Sequence, residues 1–92
     1  MPLVTVSYDV ADDRRRTRVA KLLEDFGTRV QFSVFDCLLD ERRFLELRGK
    51  LIELIDQEFD SIRFYTLCKR CQAGVDLIGH GPIIEDRDII VL

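Results

Sequence analysis

The stretch Leu3-Val4-Thr5-Val6-Ser7-Tyr8-Asp9, followed by Asp12-Asp13-Arg14-Arg15-Arg16-Thr17-Arg18-Val19-Ala20-Lys21-Leu22-Leu23, decides the fold. Its first part is apolar or small at every position up to Asp9, as suits a central strand buried on both faces. In the second part, Asp12 or Asp13 can accept hydrogen bonds from the unpaired N–H groups of a helix start. Val19, Leu22, Leu23 and Phe26 then recur at i, i+3, i+4 and i+7, which makes one buried stripe. Gly27 supplies a C-terminal stop.

Outward from this unit, Arg29–Leu39 reads as a second β region. Val30, Phe32, Val34 and Phe35 are strand formers, but the alternation slips between Val34 and Phe35. One face cannot take both, so a kink, bulge or tight turn is expected near Gln31–Ser33. Asp40 is expected to cap a long helix running to about Phe59. Phe44, Leu47, Leu51, Ile55 and Phe59 form its core stripe, widened by Leu45, Ile52 and Leu54. Ser61–Cys68 is a further strand, followed by a loop, a short apolar segment at Val75–Ile78 and a turn at Gly79-His80-Gly81-Pro82. The chain finishes on Ile89-Ile90-Val91-Leu92, an apolar strand expected to pair with its own sheet or with a second subunit.

The order β-α-β-β-α-β, with two amphipathic helices on one face of a mainly antiparallel sheet, predicts a ferredoxin-like α+β architecture with an extra C-terminal strand. Residues 1–92 are expected to form one domain, because a chain of 92 residues is short of the size at which cores split. Such a chain buries only about 60–65% of its unfolded surface. The apolar residues on the uncovered sheet face therefore favour a homodimer packed sheet to sheet.

The apolar content of 47% excludes disorder. No stretch approaches the roughly 18–20 apolar residues that span a bilayer, and the N-terminus has no signal-peptide core, so a cytoplasmic protein with no membrane association is expected. The net charge of −3 argues against nonspecific coating of nucleic acid. Its distribution says more. Residues 1–39 hold six basic and six acidic side chains, and five of the six basic ones crowd onto the first helix. The three cysteines, an odd number, do not make a closed disulfide framework. Cys68-Lys69-Arg70-Cys71 is a lone CxxC, and zinc would need about four ligands. Only Cys37 and His80 could complete such a set, so ordinary thiols and a surface-loop histidine are expected.

A carboxylate closing a strand can bind a hard cation, and clustered arginines can bind phosphate; together they suggest chemistry on a nucleic-acid backbone. Taken locally, the simpler reading is a strand terminator beside a solvated helix face. The wider pattern resembles a known family. Ser7-Tyr8-Asp9-Val10, then Asp12-Asp13-Arg14-Arg15-Arg16 with Val19-Ala20-Lys21-Leu22-Leu23, then Gly27, Arg29-Val30-Gln31-Phe32-Ser33-Val34-Phe35-Asp36-Cys37 and Asp60-Ser61-Ile62-Arg63-Phe64-Tyr65 are similar to the small CRISPR-associated adaptation endonucleases, partners of the spacer integrase.

The resemblance implies a ferredoxin-like homodimer whose C-terminal strand joins the partner's sheet. It implies Mg²⁺- or Mn²⁺-dependent cleavage of single-stranded RNA or double-stranded DNA. It also implies a bridge between integrase dimers that holds prespacer DNA; a purely structural adaptor is the alternative. Asp9 is the expected metal ligand and, with Tyr8 and Ser33, a catalytic residue. A two-fold dimer could set two Asp9 carboxylates around one ion. By match to the family pattern Arg16 and Arg18 contact phosphates, Arg29 could do the same, and Phe35 either stacks on a base or packs in the core. Arg14 and Arg15 read as general electrostatics, with Lys21 near the same patch. Glu85-Asp86-Arg87-Asp88 reads as a solvated approach to the last strand.

Overall fold

A computed structural model describes residues 2–84. Strand β1 (Leu3–Asp9) leads into helix α1 (Asp13–Glu24), then strands β2 (Thr28–Gln31) and β3 (Val34–Leu38), helix α2 (Glu41–Leu54), strand β4 (Ser61–Leu67) and a short helix α3 (Lys69–Ala73). The sheet order is β2-β3-β1-β4, with antiparallel neighbours throughout. This is the ferredoxin-like α+β arrangement that the element order predicted.

Alternation along β1 sends Val4, Val6 and Tyr8 to one face and Thr5, Ser7 and Asp9 to the other. On the first face they meet Phe35 and Cys37 of β3, Val19, Ala20 and Leu23 of α1, and Leu47 and Leu51 of α2. Phe44 of α2 packs edge-on against Phe64 of β4, with ring centroids 5.2 Å apart. The other face is mixed in character. Leu3 aligns with Leu38 and Leu67, but the next row is Thr5, Asp36 and Tyr65, where the Thr5 hydroxyl donates to the Asp36 carboxylate at 2.7 Å.

Both helices start on the expected aspartates. The Asp12 carboxylate accepts from the Arg15 N–H at 2.9 Å and the Asp40 carboxylate from the Arg43 N–H at 2.8 Å. The slip between Val34 and Phe35 has two sources. Phe32–Ser33 is a two-residue turn, and Val30 is bulged between the paired residues Arg29 and Gln31. Val34 thereby faces away from the helices while Phe35 enters the core.

Several expectations need correction. Helix α2 stops at Leu54, with Ile55 already extended, and Phe59 lies in a following turn with 68% of its surface exposed. The turn is imposed by Asp60, whose carboxylate accepts the Asp56 N–H at 2.9 Å and draws the chain out of the helix. Leu45 and Ile52 face outward, because the buried stripe is only as wide as its contact with the sheet and α1. Gly27 is required by space rather than by a left-handed backbone: a Cβ there would collide with the Asp36 carbonyl and the Cys37 sulfur. The expected loop after β4 contains α3, and Val75–Ile78 forms no strand, since no sheet edge is paired with it among the described residues. The proposed terminal strand Ile89–Leu92 and the segment 85–88 lie outside the described residues.

Candidate functional site

The site is built where β1 hands over to α1. Asp9 is the last residue of β1, exposed, and paired in register with Ser61 at the start of β4. Its side chain makes no hydrogen bond among the described residues. Val10 turns back into the core, and Asp12 caps the helix that follows.

Beneath this handover sits Asp60, a carboxylate whose role the sequence reading did not assign. It is buried and takes the Ala11 N–H at 3.1 Å, the Asp56 N–H at 2.9 Å, and the Arg15 Nε and Nη2 at 2.8 and 3.3 Å. The Arg15 guanidinium, aided by the two backbone donors, holds the Asp60 carboxyl down to about 2. Arg15 is therefore a clamp between α1 and the head of β4, not general electrostatics. The signal for it was the aspartate immediately before a strand, with a fork-shaped donor on the first helix. Nothing in the sequence says that these two meet.

The arginines of α1 divide by helical angle. Arg16 and Arg18 are about 200° apart around the helix. Arg16 donates from Nη1 to the Val10 carbonyl at 3.1 Å and pairs with Asp13. It also lines a cavity of about 260 Å³ with Tyr8, Thr17, Ala20, Lys21, Glu24, Arg29 and Phe32. Arg18 is exposed and does not line that cavity. Of the two arginines expected at phosphates, Arg16 lines this groove and Arg18 faces another side of α1. Arg29 does join the site, with its guanidinium 5.2 Å from the Phe35 ring centroid.

Tyr8 and Asp9 point to opposite faces of the sheet, so they do not act from one side. The Tyr8 ring is buried against Phe35, its hydroxyl donates to the Phe32 carbonyl at 3.4 Å, and its N–H donates to the Ser33 carbonyl at 3.0 Å. Ser33 thus contributes a carbonyl to the β1–hairpin connection. Phe35 is fully buried, and base stacking by it is ruled out. Of the two phenylalanines in this hairpin, the exposed one is Phe32, at 79%.

The donor chemistry of Asp9 suits a hard cation. Among the described residues, no three His, Cys, Asp or Glu side chains cluster closely enough to hold a metal. The described part of one chain thus falls well short of the roughly six oxygen ligands of Mg²⁺ around Asp9. Cys37 cannot join Cys68 and Cys71 in a zinc site. It is enclosed in the core, where burial pushes its thiol up to about 11, whereas the other two are exposed. No described helix is long and apolar enough to cross a membrane.

Fold and site together define a small ferredoxin-like protein with an exposed carboxylate at the end of its first strand and a basic groove on the helix side of the sheet. The chain belongs to the CRISPR associated protein Cas2 family, whose model matches residues 1–75. It is 40% identical to the CRISPR-associated endoribonuclease Cas2 3 of Synechocystis over 92 residues, covering all of both chains. It is 42% identical to the CRISPR-associated endonuclease Cas2 2 of Thermus thermophilus over 90 residues, covering 98% of this chain and 96% of that one. Among solved structures it is similar to a chain of a partial Cas6-RT-Cas1–Cas2 complex. That match has a TM-score of 0.79 and 33% identity, and covers both chains completely.

Proposed function

We propose that this chain is a metal-dependent endonuclease acting on nucleic-acid phosphodiester bonds, and a nucleic-acid-binding subunit of a CRISPR spacer-acquisition complex. The observation that carries the reading is the placement of Asp9. An exposed carboxylate with no hydrogen bond among the described residues ends β1, one residue beyond Tyr8, which on the helix side lines a groove with Arg16, Lys21 and Arg29. Relatives named endoribonuclease and endonuclease, and a similar chain within a Cas1–Cas2 complex, support it.

In this reading the chain works as a cytoplasmic homodimer with the uncovered sheet faces apposed, so that two Asp9 side chains would share a Mg²⁺ or Mn²⁺ ion. Such an ion, when bound, supplies an activated water and neutralises charge on the phosphate. The protein's own groups hold the substrate. Arg29 and Lys21 present charge to the backbone, and Arg16 does so while fastening the Val10 carbonyl beside Asp9. The same dimer would bridge integrase dimers and hold prespacer DNA.

Asp9→Asn decides between roles. Purified variant and wild type are compared for Mg²⁺-dependent cleavage of single-stranded RNA and duplex DNA, and for integrase binding. Cleavage lost with binding retained supports the nuclease reading. Cleavage that persists removes Asp9 from the chemistry. A purely structural adaptor is the second reading, favoured by the lack of a cluster of three metal-ligating side chains among the described residues. It predicts full spacer acquisition by Asp9→Asn.

A further inference from the structure

The hairpin tip carries a feature that the nuclease reading leaves unused. Turn positions ordinarily hold polar or small residues, yet Phe32 occupies the first position of the two-residue β2–β3 turn with 79% of its surface exposed. The tip is also fixed. Gln31 and Val34 pair on either side of it, the Tyr8 hydroxyl holds the Phe32 carbonyl, and the Tyr8 N–H holds the Ser33 carbonyl. A large ring on a tethered turn loses little freedom when it binds, which is what a stacking platform needs.

Phe32 forms one wall of the 260 Å³ cavity, with Tyr8 behind it and α1 opposite. Arg16, Lys21 and Arg29 supply three cations around that space and Glu24 one carboxylate. Aromatic ring plus cations is the recognition chemistry of an unpaired nucleotide: the ring takes the base face and the cations take the flanking phosphates. A base inside a duplex offers no free face.

We propose that the groove between α1 and the β2–β3 hairpin is a single-nucleotide subsite, in which Phe32 stacks on an unpaired base while Arg16, Lys21 and Arg29 hold the adjoining phosphates. The inference rests on the nucleic-acid reading above and extends it to a single-stranded or splayed substrate. Because stacking uses a face that every base has, the subsite tolerates any sequence.

The test is fluorescence anisotropy in EDTA, so that nothing is cleaved. The probes are a labelled ten-nucleotide oligouridylate and an abasic ribose-phosphate oligomer of the same length and charge. Wild type binds the base-bearing oligomer roughly tenfold more tightly than the abasic one. Phe32→Ala erases that difference and leaves abasic binding unchanged, whereas Phe32→Trp keeps it. Phe32 is exposed on a turn, so neither change threatens folding. The proposal is overturned if Phe32→Ala retains the preference for bases, including the case in which only its self-association changes, which would place Phe32 in a protein contact. The broader nucleic-acid reading is separable from the subsite. It survives if both oligomers bind wild type equally and Lys21→Ala/Arg29→Ala weakens both. It falls, and the subsite with it, if wild type binds neither.

Discussion

Two carboxylates one strand apart, Asp60 and Asp9, have opposite environments. Asp60 precedes β4 and is buried beneath four donors, two of them from one guanidinium. Asp9 ends β1, is exposed, and pairs through its backbone with Ser61, the residue after Asp60. The first carboxylate has its lone pairs occupied and its charge neutralised by Arg15. The second has no hydrogen-bond partner among the described residues, so its lone pairs are open to a ligand. Burial plus saturation makes a fastener, and exposure without partners makes a ligand. The fastener holds Ala11 and Arg15, so it fixes the loop that presents the ligand.

This contrast is open to attack. Asp60→Asn should have the largest effect, lowering Tm by on the order of 10 °C, because it strands Arg15 without a charge partner; a thermal melt with a smaller shift than Asp9→Asn would reverse the assignment. The pH dependence follows from the same group. Its folded value, about 2, lies below its ordinary 3.8. Its contribution to stability is therefore complete above about pH 4–5 and fades as pH falls through about 2. Denaturant midpoints measured between pH 5 and 2 should fall for wild type and should fall distinctly less for Asp60→Asn.

Asp9→Asn should leave Tm within about 3 °C, as an exposed isosteric change does, while Mg²⁺-dependent cleavage drops at least about 100-fold. A cleavage assay showing equal rates would make Asp9 as structural as Asp60. The smallest effect separates Arg29 of β2 from Arg18 of α1. Arg29→Ala should reduce the log–log salt slope of single-strand binding by about 0.7, the loss of one phosphate contact. Arg18→Ala should change it less, since Arg18 does not line the groove.

Much of this architecture is legible in the sequence. Periodicity marks α1 and the start of α2, capping aspartates mark their first turns, and the slip at Val34–Phe35 marks the bulge and turn. Asp9, Arg16 and Arg29 are marked by residue type and by family resemblance. Less legible were the end of α2 and the roles of Arg15, Asp60 and Phe32. Ile55 and Phe59 continue the apolar spacing of the helix, but the Asp60 carboxylate captures the Asp56 N–H and ends it. Phe32 and Phe35 are both aromatic residues in a strand-like run, and only the bulge at Val30 and the turn at Phe32–Ser33 decide which of them meets solvent.

The sequence by itself determined the element order, the helix starts and the presence of an acidic strand end beside a basic helix. These are local properties, set by spacing over a few residues. Tertiary structure alone decided which carboxylate is spent inside the fold and which is free, which arginine clamps and which lines a groove, and which phenylalanine is core. Each of these depends on contacts between residues far apart in the chain, such as Arg15 and Asp60 or Tyr8 and Phe32, and no local pattern encodes a partner's position.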